Sequence, residues 1–134
     1  MRLFENLRDM RSELGYVEGS DVLEARRDFI TGARHEDDTV VDALYDAYRA
    51  AAEQDSDWIH NPEVHLGCRI ALADVWLEAG YAAEAWKRLD DDAFEIAWNT
   101  PGFEDKAEQL RVILLELNAL INPAEQAQDG ESTD

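Results

Sequence analysis

The chain has 134 residues, with 31 aspartates and glutamates against 12 lysines and arginines, a formal net charge of −19. That length suits one ordinary domain, and 46% hydrophobic residues can build a core, so the acidity does not imply an unfolded chain. A polyanion of this strength is expected to avoid nucleic acid and anionic membranes, which carry the same sign.

The charge is unevenly placed. Residues 1–34 hold six arginines and seven carboxylates, a net of −1, whereas residues 35–134 hold six cations and 24 carboxylates, a net of −18. Ten of the twelve cations are arginine, a pattern that a GC-rich genome or a salt-adapted proteome also produces. An organism-wide bias should colour both segments alike, so the asymmetry points to a local cause. Met1-Arg2-Leu3-Phe4-Glu5-Asn6 lacks the basic-then-apolar pattern of a leader, and no stretch approaches 18 uncharged apolar residues. The lone Cys68 cannot close an internal disulfide. These features predict a cytoplasmic protein.

In chain order, Leu3, Leu7, Met10 and Leu14 recur at helical spacing until Gly15 can end the helix. Ser20 is a good N-cap for a second helix over Asp21–Ala33, with Val22, Leu23, Phe29 and Ile30 as its apolar positions. After the polar break at 35–38, Val41, Leu44, Tyr45, Tyr48, Ala51 and Ala52 place a third helix's apolar residues on one face. Gln54–Asn61 reads as a loop, and Asn61-Pro62 starts a fourth helix, Glu63–Ala79. That helix is apolar on most sides, with Arg69, Asp74 and Glu78 as its one wet stripe, which predicts the central position. Gly80 breaks it. A fifth helix carries Ala82, Ala85, Trp86, Leu89, Ala93, Ile96 and Ala97 on one face, and Thr100-Pro101-Gly102 makes a turn. A sixth helix, Phe103–Ile121, ends at Asn122-Pro123.

No alternating strand pattern occurs. The expectation is an all-α fold, a compact bundle of about six antiparallel helices in one domain, 1–123, with a disordered acidic tail, 124–134. The sixth helix carries a double stripe, Ile113/Leu117 and Leu115/Ala119, which suits either a helix flanked on two sides or a homodimer face.

Leu72, Ala73, Trp76, Gly80, Ala85 and Leu89 stand at offsets 0, 1, 4, 8, 13 and 17. This stretch resembles the first half of a tetratricopeptide repeat, in which small residues let two antiparallel helices approach. The match covers about 20 residues and then departs, with Asp92 where a second small residue belongs and Pro101 about four residues late. The resemblance implies an adaptor that binds a peptide in a helical groove.

Enzyme chemistry finds little support. Asp57, His60, His65 and Cys68 are ligand-capable types within twelve residues, but their spacing matches no common metal motif. Cys68 on an apolar helix should be a buried thiol, and no G-x-S-x-G, P-loop or dinucleotide fingerprint is present. Carboxylate pairs such as Asp91/Glu95 and Glu104/Glu108 invite comparison with magnesium-dependent nucleotide hydrolases, with only Lys87, Arg88 and Lys106 nearby for a phosphate. No cofactor and no metal site is expected.

The acidic surface is the stronger candidate. Opposite the apolar face of the third helix run Asp38, Asp42 and Asp46, then Arg49 and Glu53, one carboxylate per roughly 6 Å of axis. A second run is Asp90, Asp91, Asp92 and Glu95. Trp58, Phe94 and Trp98 lie off the core stripes and could anchor a partner beside them, although Trp98 could equally seal the bundle end. In size, charge and fold class, the chain resembles the acidic anti-CRISPR and anti-restriction inhibitors that act as nucleic-acid mimics. The resemblance implies stoichiometric binding to a basic, nucleic-acid-handling protein, with no catalysis and no direct contact with nucleic acid or membrane.

Overall fold

A computed structural model describes residues 2–34, 38–54 and 59–122. Among these there is no strand. The helices are α1 (Arg2–Glu13), α2 (Ser20–Arg34), α3 (Asp38–Gln54), α4 (Pro62–Glu78), α5 (Ala82–Arg88), α6 (Glu95–Asn99) and α7 (Glu104–Ile121). A π-helical segment, Leu89–Phe94, joins α5 to α6 without a break in right-handed helical backbone, so the described residues form six rods. The tail at 124–134 lies outside the described residues.

The ends of the helices follow local chemistry. Asn61 Oδ1 accepts from the backbone N–H groups of Glu63 and Val64 at 3.1 and 3.4 Å, and Pro62 occupies the first helical turn where no partner for its nitrogen is needed. The α4–α5 corner is a Schellman motif: the Tyr81 N–H reaches back to the Trp76 carbonyl, and the Gly80 N–H to Leu77. Gly80 supplies the positive φ of 93° that this corner requires, and the Tyr81 ring packs edge-on against Trp76 at 5.5 Å. The α1 corner repeats the motif with Gly15 at φ 81° and the Tyr16 N–H bonded to the Arg11 carbonyl.

Helix α4 is central, as its apolar sequence predicts. It packs against α1, α2, α3, α5 and the π segment. Leu66, Ile70, Ala71, Ala73 and Val75 are wholly buried. Gly67 is needed for close approach: a Cβ there would lie 2.6 Å from the Cβ of Tyr16, in the chain leaving α1. Helix α2 pairs with α3, while α7 closes the other side against α5, the π segment, α6 and α1.

The expected wet stripe of α4 is corrected by the structure. Arg69 is half-buried, but Asp74 is only 3% exposed. Successive residues on a helix turn by about 100°, which puts Asp74 and Glu78 on the side opposite Arg69. Asp74 faces α1 and α2, where two arginines meet it. Among the described residues, no helix is long and apolar enough to cross a membrane.

Candidate functional site

Helix α4 presents two dissimilar faces. His65, Arg69, Leu72 and Trp76 recur at intervals of three and four residues and form one stripe. Helix α3 stands on one side of that stripe and α5, the π segment and α6 on the other. Between these walls runs a groove of about 770 Å³, with Tyr45 and Arg49 on the α3 side and Asp91, Asp92, Glu95 and Asn99 on the other. A further recess of about 350 Å³ shares Arg88 with the groove and carries Asp42 and Glu84 on its walls, over Trp76.

The π segment shapes the second wall. Ala85, Leu89, Ala93 and Ala97 are all buried and stand four residues apart. In an unbroken α-helix such a row would drift about 40° per step, or roughly 120° over the three steps. The wider i→i+5 turn takes up the drift and keeps all four residues on the core side. Asp91 and Asp92 are thereby left exposed at the groove, while Asp90 is half-buried.

The cations in the groove are already engaged. Arg49 Nε donates to Glu53 Oε1 at 2.9 Å, and Arg69 Nη1 lies 3.6 Å from the same oxygen. Arg88 pairs with Glu84 at 3.0 Å, donates to the Tyr45 hydroxyl at 3.1 Å and stacks over the Tyr45 and Trp76 rings at 4.6 and 5.2 Å. Burial raises the Tyr45 pKa, opposed by Arg88 and helped by Asp92. His65 Nε2 accepts from Arg69 Nε at 3.2 Å, and burial followed by the charge of Arg69 lowers the pKa of its imidazole. Neutral His65 is the form this contact needs.

The carboxylates are placed differently from the arginines. Asp42, Asp46, Asp91, Asp92 and Glu95 are exposed and form no ion pair with another described residue. Of the two acidic runs expected from the sequence, Asp91, Asp92 and Glu95 line the groove, and Asp42 lines the neighbouring recess that shares Arg88 with it. Asp46 is on the outer face, and Glu53 is taken by the two arginines. Asp38 starts α3, but its side chain lies outside the described residues, as do Trp58 and Asp57 altogether.

Trp98 does not seal the bundle. It is 71% exposed and stacks on Phe94 with centroids 5.9 Å apart, beside a small recess lined by Ala97, Ala107, Glu104 and Glu108. On α7, Leu115 is 59% exposed and Ala119 half-buried, so the second stripe of that helix is not flanked along its length. Cys68 is buried, His60 is exposed, and no three His, Cys, Asp or Glu side chains among the described residues converge as metal ligands would.

The opposite face of α4 carries a feature that the charge pattern leaves unseen. Asp74 Oδ2 lies 2.9 Å from Arg11 Nε, and Asp74 Oδ1 accepts from Arg26 Nη2 at 2.5 Å. Arg26 also donates to Glu78 at 2.8 Å and to the Tyr48 hydroxyl at 2.8 Å, and Tyr48 donates to Glu18. Burial opposes the charge on Arg26, but Asp74, Glu78 and Glu18 outweigh it and hold its pKa well above the ordinary value. The available signal was Asp74 itself, a carboxylate inside an apolar helix, together with the excess of arginine in residues 1–34. Compared with known proteins, the chain matches no family model, no curated protein and no solved structure.

Proposed function

We propose that the protein is a non-catalytic binding module that holds a basic segment of a nucleic-acid-handling protein in the groove between α3 and the α5–α6 rod. One observation carries this reading: exposed carboxylates that form no ion pair with a described residue cluster on this side of α4, Asp91, Asp92 and Glu95 on the α5–α6 wall of the groove and Asp42 on the α3 side of the adjoining recess. Arg49 and Arg69 share Glu53 and Arg88 pairs with Glu84, which leaves one positive charge in excess, and the three exposed carboxylates Asp91, Asp92 and Glu95 outweigh it. Lysine and arginine side chains entering from the partner would exchange water for charge-assisted hydrogen bonds with those carboxylates. A partner that normally grips phosphates offers such side chains in a row, which makes an acidic competitor stoichiometric and inhibitory. The exposed Trp98, beside the recess between α6 and α7, offers an aromatic anchor outside the groove. The groove geometry is shared with the adaptor reading, and the charge of its walls selects a basic occupant.

The test is capture of partners from the native cell by the full chain at low and at high salt. Reversal of Asp42, Asp91 and Asp92 to Lys is expected to abolish capture of a basic protein while the helical circular dichroism spectrum is retained. Capture that survives the triple reversal, or that does not weaken with salt, overturns the proposal.

A further inference from the structure

A second site lies on the other side of α4. Arg8, Arg11, Arg26 and Arg27 all line one cleft of about 380 Å³ between α1 and α2. Four of the protein's twelve cations thus converge on one place in a chain of net charge −19. Arg11 and Arg26 are 8% and 5% exposed, held from behind by Asp74 and paired with Glu18 and Glu78, which line the same cleft. Those three carboxylates leave the group of four arginines with one positive charge in excess. Arg8 and Arg27 are exposed and form no ion pair with a described residue. Arg11 Nε lies 2.9 Å from Asp74 Oδ2 but makes no hydrogen bond with a described residue. The carboxylates orient the two inner guanidiniums and leave the outer two free of them.

Apart from Ser12 and the arginine-paired Glu18 and Glu78, the remainder of the lining is apolar or aromatic. Val17 is 77% exposed and Leu23 38%, both on the cleft, with Ile30 and the Tyr16 ring beside them. Large side chains left open next to orienting arginines suit a ligand that is an oxyanion at one end and apolar at the other. Guanidinium groups recognise such oxyanions through paired N–H donors, and two fixed plus two mobile guanidiniums match a doubly charged group better than a carboxylate.

We infer that the α1–α2 cleft binds a small phosphate monoester carrying an apolar or aromatic body, its phosphate held by Arg8 and Arg27 over the buried Arg11–Arg26 pair. The body lies along Val17 and Leu23. This site is independent of the acidic groove, from which α4 separates it.

The experiment titrates the uniformly labelled full chain with adenosine monophosphate, inorganic phosphate, adenosine and benzoate, following amide and methyl resonances. Adenosine monophosphate is expected to shift Val17, Leu23 and the backbone at Arg8 and Arg27 in a saturable way. Inorganic phosphate should bind more weakly and adenosine not at all. Arg8→Gln and Arg27→Gln, both at exposed positions, should each weaken binding about tenfold. Asp42→Lys, on the far side of α4 in the recess beside the groove, should leave it unchanged. No saturable shift with adenosine monophosphate overturns the inference, as does binding that is indifferent to both arginine substitutions. Benzoate binding as tightly as the nucleotide would overturn the assignment to phosphate.

Discussion

Asp74 holds two arginines with one carboxylate in a place that water barely reaches. Burial pushes its pKa above the ordinary carboxylate value, against the pull of Arg26 and Arg11, so the charge is retained only while both arginines stay in place. Truncating one member of such a cluster leaves the others desolvated and poorly matched. Asp74→Ala is therefore expected to lower unfolding free energy by about 3 kcal/mol, read from a urea melt. Glu18 and Glu78 remain to neutralise Arg26, which keeps the loss at the lower end for a broken buried pair. A loss below about 1 kcal/mol would mean that the arginines turn outward and rehydrate. The sequence reading assigns Asp74 to solvent because its hydrophilicity is weighed alone. A carboxylate is buried only where partners from distant segments arrive, and here they come from positions 11 and 26. That pairing has no local signature, whereas the N-cap at Asn61 and the corner at Gly80 depend on neighbours and are legible directly.

At the scale of an element, the rod from Ala82 to Asn99 shows how spacing encodes a surface. Its core residues recur every four positions, and a pure α-helix cannot keep that row facing one way. The π turn is what one extra residue looks like inside an α-helix. Deleting Asp91 would leave core residues at intervals of four, three and four, the spacing of an ordinary apolar helix face. The expected outcome is a protein with an unchanged helical spectrum and an unfolding midpoint within about 5 °C of the parent. Its acidic wall would be shortened by a carboxylate, and groove-dependent capture should fall. Collapse of the fold on deletion would show that the extra residue is required for packing rather than tolerated by it. Ala85, Leu89, Ala93 and Ala97 are among the apolar positions read from the sequence and are all buried, whereas Ala82, Trp86 and Ile96, read as part of the same face, are half-buried. The backbone adjustment that serves the buried row was not visible, because apolar periodicity reports direction and not the hydrogen-bond register. For the same reason the candidate carboxylates could be named in advance, but not the pairing of Glu53 with Arg49 and Arg69 that removes it from the free set.

Across the whole molecule, the charge divides into two populations that salt should affect unequally. The buried cluster of Arg11, Arg26 and Asp74 is shielded from ions, so its contribution changes little with ionic strength. The exposed carboxylates repel one another in the folded state, and the Debye length falls from about 30 Å at 0.01 M to about 3 Å at 1 M. Raising sodium chloride across that range is expected to stabilise the fold by about 1 kcal/mol, a rise of roughly 3–5 °C in Tm followed by circular dichroism. Capture of a basic partner draws on the same exposed charges with the opposite sign and should weaken over the same range. Neutralising Asp42, Asp91 and Asp92 together as Asn should flatten both dependences, because it removes repulsion and attraction at once. Stability that falls with salt would place surface ion pairs, such as Arg49–Glu53, ahead of the repulsion among free carboxylates. Affinity that is steady while stability rises would separate the acidic groove from binding altogether.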